Sequence, residues 1–136
     1  MIQLRLVVTW MLLLTTPALI RAQGYEFVIH EKPLRVRHIS GVIVDQKGLF
    51  IAYPAVELRD PNDNHVLATS FADGNGRFHF EDRKPGEIVE IRFLMKGFNP
   101  VQYTLEMARI GHESMKAVMP LSKQEQGLKD LTDRHD

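Results

Sequence analysis

The stretch Ile88-Val89-Glu90-Ile91-Arg92-Phe93-Leu94 decides the fold. Val89, Ile91 and Phe93 alternate with Glu90 and Arg92, and a period of two is what a strand with one buried face requires. Turn chemistry brackets it: Lys84-Pro85-Gly86 before, Lys96-Gly97-Phe98-Asn99-Pro100 after. The same alternation recurs on both sides. Upstream, Ile39-Ser40-Gly41-Val42-Ile43-Val44-Asp45 is a strand closed by the Gln46-Lys47-Gly48 turn. Ala55-Val56-Glu57-Leu58-Arg59 is a second, with Val56 and Leu58 inward. Asp60-Pro61-Asn62-Asp63-Asn64 is a dense turn, because Pro61 presets φ and Asp and Asn side chains cap their own backbone. His65 to Asp73 and Gly76 to Phe80 read as two further strands joined by the Asp73-Gly74-Asn75-Gly76 hairpin signal. Downstream, Val101, Tyr103, Leu105 and Met107 mark the next strand, and Met115, Ala117, Met119 and Leu121 the last.

Seven strands without an amphipathic helix between them predict an all-β fold, an antiparallel seven-stranded β-sandwich with Tyr25 to Ile29 as a candidate eighth strand. The expected core is Ile39, Ile43, Val56, Leu58, Leu67, Phe71, Phe78, Phe80, Val89, Ile91, Phe93, Val101, Tyr103, Leu105, Met115, Ala117 and Met119. Alternation leaves Val42 and Val44 on the outer face, as a sticky patch or the seat of the extra strand. The tail from Ser122 to Asp136 is charged. Ser122 and Glu125 fit a capping box there, although Gly127 weakens any helix.

Met1 to Ala22 has the layout of an export signal: Arg5, an apolar run from Leu6 to Ile20 shorter than the roughly 20 residues that span a bilayer, then Pro17 and Ala22 around a cleavage region. The chain therefore divides into a signal peptide (1–22), an N-terminal extension (23–34), a β domain (35–121) and a tail (122–136). Its destination is secreted or periplasmic, with membrane attachment only through an uncleaved signal. Cleavage removes Arg5, Arg21 and Trp10, leaving a slight acidic excess and no tryptophan.

Composition excludes several classes. The full chain balances 17 basic against 17 acidic side chains, so it lacks the basic excess of a nucleic-acid binder. It has no Cys, hence no disulfide, thiol nucleophile or cysteine metal site.

Pieces of four segments, in order, resemble the carboxypeptidase regulatory-like domain family: Ile39 to Asp45 with Gly48, Pro54-Ala55-Val56-Glu57-Leu58, Asp73-Gly74-Asn75-Gly76-Arg77-Phe78, and Lys96-Gly97-Phe98. The resemblance covers roughly residues 35–121. It implies a transthyretin-like (prealbumin-like) sandwich that serves as a non-catalytic accessory. The chain resembles 5-hydroxyisourate hydrolases less. That family places a His three residues before the Asp of its first strand, where this chain has Val42, and ends in Tyr-Arg-Gly-Ser, where this chain has Asp133-Arg134-His135-Asp136. No His here is followed by Glu three residues later, as a metallocarboxypeptidase zinc site needs.

The expected function is protein interaction without catalysis, cofactor or metal. The candidate partner surface is Leu49, Phe50, Ile51 and Tyr53 with the outward Val42 and Val44. A protein partner is the first expectation. A glycan stacked on Phe50 and Tyr53 is the alternative, and a transthyretin-like hydrolase a third reading. Lesser candidates are His79 with Glu81 as two metal ligands, His38 with Ser40 as a partial triad, and Asp60 to Asn64 as a calcium-like loop. Each lacks its remaining partners. In the calcium-like loop, His65 replaces the Gly and Phe71 stands at the twelfth position.

Overall fold

The computed structural model describes residues 26–133, and the export-signal segment and Tyr25 lie outside them. Eight strands and a helix follow in order: β1 (Val28–Val36), β2 (Ser40–Val44), β3 (Ala55–Arg59), β4 (Val66–Phe71), β5 (Arg77–His79), β6 (Ile88–Leu94), β7 (Val101–Met107), β8 (Met115–Val118) and α1 (Lys123–Asp133). They form a five-stranded sheet, β1-β7-β6-β3-β4, and a three-stranded sheet, β5-β2-β8.

Both sheets are mixed. β3, β4, β6 and β7 pair antiparallel, as does β2 with β5, but β1 runs parallel to β7 and β2 parallel to β8. The purely antiparallel expectation is corrected here. Alternation reports which face a residue takes and is silent on strand direction. Strands far apart in the chain, such as β2 and β8, have no tight hairpin to force antiparallel pairing.

One apolar core joins the two sheets. Phe93 of β6 meets Phe78 of β5 edge to face, with centroids 5.2 Å apart, and meets Tyr103 of β7 at 6.1 Å. Ile39, Ile43, Val56, Leu58, Val89, Ile91, Val101, Leu105, Met115, Ala117 and Met119 are buried around them, as expected. Val36, Ile51, Ala72 and Met107 join this core without having been foreseen.

Phe71 does not belong to it. It is 75% exposed, while Leu67 is half-buried. Register Ala55↔Phe71, Val56↔Ser70 and Leu58↔Ala68, with an irregularity between Leu58 and Arg59, turns Ala68 and Ser70 toward the core instead. A one-residue slip exchanges every side chain between faces, and the bulge after the 60–64 turn produces that slip.

β1 also departs from expectation. It starts at Val28, inside the segment read as an extension, and runs beyond Pro33 as an edge strand on β7, away from Val42 and Val44. Pro33 is accommodated because the register jumps from His30↔Tyr103 to Leu34↔Leu105, leaving Glu31-Lys32-Pro33 as a bulge.

Two turns share one construction. The Asp45 Oδ1 accepts hydrogen bonds from the Lys47 and Leu49 amides, and the Asp73 Oδ1 from the Asn75 and Arg77 amides, all at 2.9 Å. Three residues after each Asp, Gly48 and Gly76 adopt positive φ, 84° and 72°, which glycine does without steric cost. Asp73→Ala removes both acceptor contacts from the β4–β5 hairpin. It is expected to lower stability by about 1–2 kcal/mol, read as a shift in urea midpoint at unchanged slope.

The tail is helical. The Ser122 Oγ accepts the Glu125 amide at 3.4 Å, and the Ser122 amide donates to the Gly97 carbonyl at 3.0 Å, fixing the start of α1 against the Gly97 corner. Among the described residues no helix is long and apolar enough to cross a membrane.

Candidate functional site

The chain leaves β2 through the Asp45–Gly48 turn and doubles back. The Asp45 amide donates to the Leu49 carbonyl, Phe50 bridges to Val44, and the Ile51 amide donates to the Ile43 carbonyl. This return splits the six residues of the expected surface. Ile51 turns into the core at 6% exposure, and Val44, flanked by Phe50 on one side and Val118 of β8 on the other, keeps only 2%. Both are corrections: Val44, placed outside by alternation, and Ile51, placed on an exposed loop, are buried because neighbouring chain flanks them. Val42 is half-buried, and Leu49, Phe50 and Tyr53 remain exposed.

Tyr53 is the most constrained of the exposed three. Its φ is 59°, in the left-handed region that a bulky side chain rarely adopts. The backbone is held there by the neighbouring hairpin: the Tyr53 amide donates to the Asp73 carbonyl at 3.0 Å, and the Ala72 amide to the Pro54 carbonyl at 2.9 Å. Gly74 leaves room for the ring, since a Cβ at that position would come within 3.2 Å of the Tyr53 hydroxyl. Held this way, Tyr53 is 66% exposed.

It shares a shallow cleft of about 380 Å³ with Phe71, Leu94, Met95, Phe98 and Pro100. Leu49 and Phe50 do not line that cleft. The aromatic neighbour of Tyr53 on this surface is therefore Phe71, placed by the register slip of β4 on the outer side of the five-stranded sheet. Sequence reading missed Phe71 because a phenylalanine in a strand is assigned to the core by default. The usable signal lay in the small residues Ala68, Ser70 and Ala72, which also alternate.

Elsewhere on this face polar side chains predominate, alongside the exposed Ile29 and Ile88. Arg92 donates through Nε and Nη2 to the Oε1 of Gln102, at 3.2 and 2.8 Å, and its guanidinium lies 4.7 Å from the Phe27 ring centroid. Burial first, and the nearby Arg59 charge second, hold the Arg92 pKa below its ordinary value, against opposing pulls from Glu57 and Glu90.

The lesser candidates resolve into ordinary contacts. The His38 Nδ1 lies 2.9 Å from the Asp82 Oδ2 in an exposed pair. Asp60 and Asp63 accept the Asn62 and His65 amides, so they cap the turn as its composition predicted. His79 and Glu81 are exposed, and no group of three His, Asp or Glu side chains suited to a metal occurs among the described residues.

A second concavity, larger than the Tyr53 cleft, was not signalled by any motif. It lies where β1 and β8 form the neighbouring outer strands of the two sheets, with His30 stacked on Tyr103 at 4.2 Å and 9° between planes. His30 sits on the core-facing side of an irregular edge strand, inside the segment read in sequence as an N-terminal extension.

No protein-family model matches the chain, and no curated protein is significantly similar to it.

Proposed function

We propose that this chain is an exported, non-catalytic transthyretin-like sandwich of the carboxypeptidase regulatory-like kind, acting as an accessory module that binds another protein. The observation that carries the reading is Tyr53: an exposed aromatic ring held at φ 59° beside an exposed Phe71. Backbone strain of this kind costs of order 1 kcal/mol, persists only where surrounding structure enforces it, and concentrates at functional sites. Exposed aromatic and apolar side chains around a shallow cleft are the usual centre of a protein contact. Four ordered sequence segments support the family, and the layout of Met1 to Ala22 supports export to a secreted or periplasmic destination. Amino-terminal sequencing of the exported protein checks the export reading: a start near Gln23 is expected, and an intact Met1 overturns it.

The contact itself is tested with the double variant Tyr53→Gly, Phe71→Ser. Glycine takes the left-handed backbone freely and Phe71 lies outside the core, so thermal stability is expected to stay within about 1 kcal/mol of the parent. Immobilised parent protein is expected to retain a defined partner from the exported proteins of its cell, and the double variant to lose it. Identical retention by both proteins defeats the reading. Tyr53 and Phe71 also offer two flat apolar faces of the kind that stack on sugar rings. Reproducible glycan-array binding that disappears with Tyr53→Ala replaces the protein partner by a carbohydrate.

A further inference from the structure

The five-stranded sheet has more strands than the three-stranded sheet, and on one side of the molecule an open slot lies between their outer strands. β1 ends the larger sheet there and β8 ends the smaller one; β8 has a strand partner on one side only, and the outer side of β1 pairs only with His112, around Val36. Between them lies an open groove of about 870 Å³. The His30–Tyr103 stack and Met115 line it. The Glu31-Lys32-Pro33 bulge forms one wall and Lys116 of β8 the other. His112 closes one end, pinned to β1 by the Arg37 amide donating to its carbonyl at 2.9 Å and its own amide donating to the Arg35 carbonyl at 3.0 Å.

The main chain of β8 faces this slot. The Val118 amide donates across it to the Tyr103 hydroxyl at 3.2 Å, whereas the Met119 amide turns the other way, to the Val44 carbonyl. Backbone groups alternate along a strand, so the N–H and C=O of Lys116 point the same way as those of Val118, into the slot. An edge of this kind is a template for one more strand.

The charge of the slot selects what that strand carries. Lys32 and Lys116 stand on opposite walls and neither makes an ion pair among the described residues. His30 and His112 add two further groups that become cationic on protonation, against the single carboxylate of Glu31. A second copy of the chain is a poor match. Its terminal strands β1, β4, β5 and β8 carry one carboxylate between them, Glu31.

We propose that the slot binds an extended segment of another protein, alternating apolar and acidic residues, which adds beside β8 as a fourth strand of the smaller sheet. The apolar side chains rest on Tyr103, His30 and Met115, and the acidic ones meet Lys32 and Lys116. This site is separate from the Tyr53–Phe71 cleft, and its test does not depend on that cleft.

The probe is a fluorescein-labelled peptide of about seven residues alternating valine and glutamate, a typical strand length, titrated with the purified protein and read by anisotropy. Saturable binding is expected, weakening several-fold between about 50 and 500 mM salt as the charges are screened. Lys116→Pro removes the slot-facing amide at an edge position that tolerates proline, and is expected to weaken binding about tenfold or more. Should that variant fail to fold, the doubly substituted Lys32→Glu, Lys116→Glu protein and a backbone N-methylated peptide carry the test, and both are expected to abolish binding. Undiminished binding of the N-methylated peptide, equal binding of a valine–lysine peptide, or absence of saturation each overturns the proposal. So does self-association of the protein that Lys116→Pro abolishes, because the slot then takes a second copy.

Discussion

Gly41→Ala is expected to disrupt the smaller sheet outright. Gly41 lies in β2 between two partners, Phe78 of β5 and Met115 of β8. A Cβ at this position would run into the backbone carbonyl oxygen of Met115. A flexible side chain could swing aside, but a carbonyl fixed in a parallel ladder cannot, so β8 must move away from β2. That movement strips Met115, Ala117 and Met119 from the core they fill. Overpacking with forced backbone shifts costs about 3 kcal/mol at the upper end of its usual range, and loss of strand pairing adds to it. Against a total stability of roughly 5–15 kcal/mol, the variant should show a large drop in urea midpoint, with Gly41→Ser no better. A change below about 1 kcal/mol would mean that β2 and β8 do not approach as described.

Phe93→Ala is the second large effect. Phe93 is the largest fully buried side chain among the described residues and couples the layers, edge to face with Phe78 on one side and Tyr103 on the other. Truncation to alanine at such a position costs about 3–5 kcal/mol, combining lost transfer energy with a cavity the neighbours fill only in part. The loss should exceed that of Phe71→Ala by several-fold, since Phe71 is three-quarters exposed. Thermal unfolding of the pair by circular dichroism checks this directly. Equal losses for the two variants would place Phe71 back in the core and undo the register of β4. The cavity left by Phe93→Ala also sits beside Tyr103, whose ring supports His30. Binding in the β1–β8 slot should therefore weaken with it, while Phe71→Ala leaves the slot intact.

Three strand segments were legible almost residue by residue. Ala55–Arg59 and Ile88–Leu94 occur with the boundaries their alternation marks, and Val101–Met107 matches the run of its apolar residues. The two Asp-to-Gly turns were legible for the same reason, because their hydrogen bonds close within four residues. The candidate surface was legible only in part. Tyr53 was found because it is an aromatic residue in a turn-rich loop, yet its partner Phe71 was assigned to the core. Ile51 and Val44 were assigned to the surface and are buried. Each of these misassignments traces to a long-range pairing: the bulge at Leu58–Arg59 for Phe71, and the return of Phe50 and Ile51 along β2 for the other two.

By itself, then, the chain determined where most of its strands and turns lie, because those properties rest on bond geometry and on neighbours a few positions away. Tertiary structure alone decided which strands lie side by side, in which direction and in what register. Hydrogen bonds between distant segments are nearly equivalent until packing of the whole core chooses among them. The slot between β1 and β8 and the exposed Tyr53–Phe71 pair are products of that choice, so no single stretch of sequence contains them.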